Sequence, residues 1–157
     1  MYSEPQYSFA TDLPDPAYDR QFYTGVPLKR FFAWVVDFAI IGIFSLIATM
    51  VFGIVTLGIG FALLPAILLF VTFIYRAGTI AASSSTWGMR FMGIELRTQS
   101  GDRLSPLLAA MHTGIFMFLM ATVFGWILTV ISIIGTRYHQ GIPDLILGTT
   151  AINTPLD

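Results

Sequence analysis

The feature that most constrains this chain is an almost unbroken apolar block between residues 31 and 75, whose single charged residue is Asp37. As one helix the block would extend about 68 Å, which is about twice the thickness of a bilayer. The chain must therefore fold back on itself, and Gly53, Gly58 and Gly60 mark the turn. The sequence predicts one helix over about residues 28–52 and a second over about 57–76, kinked at Pro65.

The composition supports a membrane protein of one domain. The 157 residues are 55% hydrophobic and 11% charged, against about 25% charged in a soluble domain, and the mean hydropathy is +0.76. A net charge of −1 gives no global field for nucleic acid. Cysteine is absent, which excludes disulfides, thiolate chemistry and cysteine metal sites. His139 has no second ligand near it in sequence, so we expect no metal and no cofactor.

Three regions follow from the distribution of these residues. Residues 1–27 are rich in proline and acidic residues and poor in aliphatic residues, which predicts a mobile, disordered acidic tail. Residues 28–153 form the predicted transmembrane domain, and residues 154–157 form a short C-terminal tail.

The connection after the second helix mixes small polar residues with apolar ones. Trp87, Met89, Phe91 and Met92 surround Arg90, a pattern typical of a helix that lies in the headgroup region. Next, apolar and polar residues alternate from Ile94 to Thr98, which predicts a short strand. Residues 148–152 are its predicted pairing partner.

The third apolar block, residues 107–136, would be about 45 Å long as a helix. That is long for one crossing and short for two, so both a single span and a bent pair stay open, with a slight preference for the bent pair. The predicted fold is thus an all-α membrane protein with three or four transmembrane helices, an interfacial helix and a short β pairing. A single crossing would put Asp144 on the side opposite Arg30, whereas a bent pair would put the two near each other.

Charges at membrane depth are the candidate functional residues, because each costs about 2.5–3.5 kcal/mol to insert. Arg30 and Asp37 are seven residues apart, so they share one helix face with an axial rise of about 10 Å. We expect them to act as one unit, with a further partner for Asp37 elsewhere. Asp144 follows Pro143 in a predicted turn before an apolar, strand-like run. His112 is interpreted as an interfacial or a satisfied histidine, with a proton relay as the alternative.

Lysine and arginine are distributed unevenly among the connections. Three precede or begin the first helix, none lies in the next link, four lie in the 76–106 connection and one follows the third block. The positive-inside rule predicts a cytoplasmic N-terminus and a cytoplasmic 76–106 connection.

Three motifs together resemble the RDD family of bacterial membrane proteins. The run from Lys29 to Asp37, with Arg30 and Ala33, is similar to its first motif. The run Thr86 to Ile94, with Trp87, Gly88, Arg90 and Gly93, is similar to its middle motif T-x-G-K-R-x-x-G. Asp144 with Gly148 and Thr149 is similar to its closing D-x-x-x-G-T. The resemblance makes Arg30, Asp37 and Asp144 the family's Arg/Asp/Asp set, and implies a small multi-pass protein of the bacterial inner membrane.

The chain departs from the family pattern at two positions: Met89 replaces the usual Lys, and Pro143 replaces the usual His. Any role that needs those two side chains is therefore not expected here.

Two functions from different classes remain. In the first, the Arg/Asp/Asp set is structural, and the protein is a scaffold or accessory component that contacts the bilayer, itself or another membrane protein. In the second, an oligomer transports an ion or solute, because two carboxylates against one arginine leave a spare acid to bind a proton or sodium. Enzyme activity is not expected, since the serines at 83–85 have no paired base.

Overall fold

The fold consists of six α-helices and two strands within residues 12–154, the part of the chain that this computed structural model describes. The helices are α1 (Val26–Val55), α2 (Leu64–Ser83), α3 (Trp87–Phe91), α4 (Pro106–Met120), α5 (Val123–Gly135) and α6 (Ile142–Leu147). The strands are β1 (Ile94–Thr98) and β2 (Thr149–Asn153), and short 3-10 turns cover Arg20–Phe22 and Ile59–Leu63. The predicted all-α membrane class with one small β pairing is confirmed.

Helices α1 and α2 are long and apolar enough to cross a membrane. In their most apolar windows only 22% and 17% of the residues are buried. Large side chains such as Phe38, Leu46 and Phe70 are exposed along them. A soluble monomer does not expose so large an apolar surface, so these helices face lipid.

The second helix differs from its predicted bounds at both ends. Pro65 does not kink it but lies in its first turn, where a missing N–H is no loss. At the other end α2 continues past Arg76 to Ser83, and the hydroxyls of Thr79 and Ser83 donate to backbone carbonyls four residues earlier within the helix. Ser84, with φ of +56°, ends the helix.

The two strands pair antiparallel, with Leu96 opposite Ala151 and both side chains buried. The predicted pairing is therefore confirmed, shifted by one residue on the second strand. The sheet brings the middle of the chain and its C-terminal segment together at one end of the molecule, which we call the sheet end.

The third apolar block is the bent pair. Helices α4 and α5 change direction by 119° at a break capped by Thr122. Before α4, the Leu104 N–H donates to Ser84 Oγ beside β1, and after α5 the Gln140 side chain donates to the Thr149 carbonyl in β2. The α4–α5 hairpin therefore begins and ends at the sheet end.

The N-terminal region packs on the sheet end from residue 12 onward, which differs from the predicted free tail. Leu13 and Tyr23 are buried, and the Asp12 N–H donates to the Gln99 carbonyl. The remainder of the predicted tail, residues 1–11, and most of the predicted C-terminal tail, residues 155–157, lie outside the described residues.

Candidate functional site

Asp37 is buried in α1 and joins three helices. Its Oδ1 accepts from the Tyr75 hydroxyl at 2.6 Å and from the Gly88 N–H at 2.9 Å. Its Oδ2 accepts from the Thr86 hydroxyl at 2.7 Å and from Arg76 Nη1 at 3.3 Å. Each oxygen thus accepts two hydrogen bonds, which connect α1 to α2 and to the start of α3.

Arg76 is the cation that pairs with Asp37, and it was absent from the predicted charge set. It was expected at the end of the second helix, but it is buried within α2, and its guanidinium lies 3.9 Å from the centre of the Phe116 ring. The run of small residues after it, which can continue a helix, was the signal that could have placed it at depth.

Asp144 is completely buried at the start of α6 and also accepts four hydrogen bonds. Its Oδ2 accepts from Arg30 Nη2 at 2.5 Å and from the Gly141 N–H at 2.9 Å. Its Oδ1 contacts His112 Nε2 at 2.8 Å and accepts from the Thr149 hydroxyl at 3.0 Å. The apolar run after it, predicted as a strand, is helical, because Asp144 caps the Gly141 N–H and initiates α6.

The pKa of Asp144 reflects opposing influences. Burial raises the pKa, whereas Arg30, His112 and the Gly141 N–H lower it. The lowering is larger, so the pKa lies below its ordinary value and the carboxyl is ionised at neutral pH.

The structure separates Arg30 from Asp37, so the prediction that they form one unit is wrong. Both lie on one face of α1, but Arg30 reaches toward α6 and Asp37 toward α2. The axial rise between them explains this, because each finds a closer partner on another element. The charge set is two Arg–Asp pairs.

Among residues 12–154, one of the two ring nitrogens of His112 has a hydrogen-bond partner, as expected for a satisfied histidine, and the other does not. The side chain is buried in α4, and its Nε2 contacts Asp144. Its Nδ1 is buried and has no hydrogen-bond partner among the described residues.

The predicted interfacial motif forms the five-residue helix α3 and the turn into β1. Gly88 is its central residue, because a Cβ there would lie 2.3 Å from the Ala33 carbonyl and 2.7 Å from Asp37 Oδ1. Trp87 is half exposed and packs edge-on against Tyr75 and Phe44, and Arg90 is exposed. Gly93, with φ of +66°, turns the chain from α3 into β1.

A cavity of about 460 Å³ lies between α1, α4 and α5. Its polar wall contains both ion pairs and the histidine: Arg30, Asp37, Arg76, His112 and Asp144. Its other walls are apolar and include Trp34, Phe116, Trp126, Val130 and Ile133. The two departures from the family pattern, Met89 and Pro143, also line it. Residues 12–154 contain no group of three or more His, Asp or Glu side chains that could hold a metal ion.

Comparison with known proteins gives a family. The sequence model of the RDD family matches residues 24–148, which contain Arg30, Asp37 and Asp144. No curated protein and no solved structure matches the chain. Because the match covers well over half of the chain and includes all three residues of the charge set, the protein belongs to the RDD family.

Proposed function

We propose that this protein is a structural or accessory component of the bacterial inner membrane, whose two ion pairs hold its helices in one arrangement. The observation that carries the proposal is that both carboxylates have a full set of hydrogen-bond partners. Asp37 and Asp144 each have an arginine and three further hydrogen-bond partners. Buried charges that are fully hydrogen-bonded favour a fixed structure over a binding cycle.

Arg76 also removes the main argument for ion exchange. That argument needs one carboxylate in excess of the cations, but two arginines now face two aspartates. The lowered pKa of Asp144 works in the same direction, since a carboxylate that stays ionised at neutral pH does not load a proton.

The proposal includes a multi-pass placement with a cytoplasmic sheet end. All eight lysines and arginines lie outside residues 38–75 and 104–136, the two segments that contain the turns far from the sheet. The positive-inside rule supports a cytoplasmic location for the end that carries them. The bound surface is the bilayer, and self-association or a second membrane protein would use the exposed apolar faces of α1 and α2.

Transport by an oligomer is the second candidate, and the cavity beside both ion pairs supports it.

No catalytic activity is proposed, since the hydroxyls of Ser83 and Ser85 form hydrogen bonds with each other and with nearby backbone oxygens.

Cation flux in vesicles tests the proposal. The full chain is reconstituted in liposomes, and proton-coupled sodium and potassium flux is compared with that of protein-free vesicles. We expect equal flux in both, together with a loss of membrane abundance in the Asp144→Asn variant. Flux that Asp144→Asn abolishes at normal abundance would establish transport instead.

A further inference from the structure

The polar wall of the cavity has hydrogen-bond donors left over. Arg30 donates to Asp144 through Nη2, and Arg76 donates to Asp37 through Nη1. Arg30 Nε and Arg76 Nε are buried and have no hydrogen-bond partner among residues 12–154. Arg76 is more than nine-tenths buried. Leaving a buried donor without an acceptor destabilises the folded protein, above all when the donor is charged, so these groups indicate a missing acceptor.

The same wall has no free carboxylate oxygen. Each oxygen of Asp37 and Asp144 already accepts two hydrogen bonds. The wall therefore offers N–H donors but no free carboxylate acceptor, a combination that matches an oxyanion. Arginine is the side chain that proteins use most for planar or tetrahedral oxyanions such as phosphate.

The remaining walls fit a hydrocarbon chain. Trp34 of α1 and both Trp126 and Val130 of α5 line the cavity, and the ring of Phe116 in α4 lies against the Arg76 guanidinium. Both α1 and α5 also expose apolar side chains outward, including Phe38 and Ile131. The cavity thus lies between two lipid-facing helices, within reach of the bilayer.

We propose that this cavity binds one phospholipid, with a phosphate oxygen at the guanidinium groups of Arg30 and Arg76 that line it and an acyl chain between α1 and α5. The inference goes beyond the proposed structural role, because it assigns a ligand to the donors that the ion pairs leave over. A lipid bound there would cover the apolar walls and supply the acceptor that the protein lacks.

Native mass spectrometry of the full chain in detergent tests the ligand with three probes. Phosphatidylglycerol carries both the phosphate and the tails, diacylglycerol with the same acyl chains lacks the phosphate, and inorganic phosphate lacks the tails. We expect one phosphatidylglycerol per chain, with at least tenfold weaker retention of the other two. Equal retention of diacylglycerol would overturn the phosphate contact, and equal retention of inorganic phosphate would overturn the lipid.

A pair of neighbouring substitutions on α5 tests the location. Val130 lines the cavity, whereas Ile131 is exposed and does not line it. We expect Val130→Trp to fill the cavity and weaken phosphatidylglycerol retention at least tenfold, while Ile131→Trp leaves it unchanged. Unchanged retention in a folded Val130→Trp protein would place the lipid elsewhere. Should that variant not fold, the three probes on the unmodified chain still decide the proposal.

Discussion

At the scale of single residues, the molecule holds two negative charges away from water by giving each a complete set of donors. Asp37 and Asp144 each combine one arginine with three further hydrogen-bond partners. The attraction between paired charges offsets their desolvation only when the geometry is good and the other lone pairs are satisfied. Removing one member of a pair should therefore cost more than the pair contributes.

Double-mutant cycles should identify the pairs. Asp37→Asn and Arg76→Gln should each lower the stability of the folded protein by about 3–5 kcal/mol, because each leaves a buried charge without its partner. The double variant should lose less than the sum of the two. Thermal unfolding in detergent measures this, and the cycle between Arg30 and Asp37 is the control. A larger coupling for Arg30–Asp37 than for Arg76–Asp37 would contradict the structure.

Asp144→Asn should lower the amount of folded protein in the membrane. The amide cannot compensate the charge of Arg30, so a loss of about 3–5 kcal/mol is expected. Asp102→Asn is the matched control, because Asp102 is exposed. Quantitative immunoblotting of membranes compares the two, and equal abundance would remove the structural role of Asp144.

The lowered pKa of Asp144 predicts a dependence of stability on pH. Its folded pKa lies below the unfolded value of about 3.9, so its contribution is fully present above the unfolded pKa and is lost as pH falls through the folded pKa. Thermal unfolding from neutral pH down to about pH 3 should therefore show a smaller acid-induced loss in Asp144→Asn than in the unmodified protein. Identical slopes would show that Asp144 does not carry this effect.

The residues of the site could be found in the sequence more readily than their partners. A charge inside an apolar block is visible in one sequence, so Arg30, Asp37 and Asp144 were identified. Their pairing depends on which helices pack together, which spacing along α1 does not determine. Arg76 was missed as a site residue because the small residues after it were interpreted as the end of the helix.

At the scale of elements, the close crossing of α1 and α3 depends on two small residues, Ala33 and Gly88. The N–H of Gly88 donates to Asp37, and its Cα lies against the Ala33 carbonyl, where a Cβ would approach to 2.3 Å. The middle motif therefore has a packing role: it allows α3 to approach α1 closely enough to donate two hydrogen bonds to the carboxylate.

Gly88→Ala should weaken this crossing. The backbone carbonyl of Ala33 cannot move aside as a flexible side chain would, so we expect α3 to shift and the free energy of unfolding to fall by about 1–3 kcal/mol. Gly78→Ala in α2 is the matched control, because its Cβ would meet nothing within 4 Å. That control should be neutral or slightly stabilising. Equal melting temperatures for the two variants would contradict the close approach.

The elements themselves followed largely from sequence patterns. The long apolar block predicted α1, α2 and the turn between them, and alternation predicted the sheet. The bounds of α2 differed because a proline in a first turn and serine or threonine hydroxyls bonded to the backbone are compatible with a helix. The bend of the third block was left open, since its length suited neither one crossing nor two.

At the scale of the whole molecule, the charged residues between positions 12 and 154 are gathered toward one end. Residues 38–75 and 104–136 contain no Asp, Glu, Lys or Arg, and both segments return to the sheet end. The described residues thus have one charged end, where the sheet and residues 12–25 lie, and one end without charge.

Cysteine labelling should show which side each end faces. The chain has no cysteine, so Ser100→Cys and Leu57→Cys each introduce a unique thiol, at the sheet end and in the turn between α1 and α2. An impermeant maleimide added to intact spheroplasts should label Leu57→Cys and leave Ser100→Cys unlabelled until the membrane is opened. Labelling of Ser100→Cys from outside would reverse the orientation.

The absence of charge from the far turns has a consequence for how the protein enters the membrane. A potential of 100 mV does about 2.3 kcal/mol of work on each elementary charge that crosses it. Within residues 12–154, the segments that the proposed topology places on the far side carry no Asp, Glu, Lys or Arg. The electric field therefore neither assists nor opposes their passage, and insertion should proceed equally well in energised and de-energised membranes.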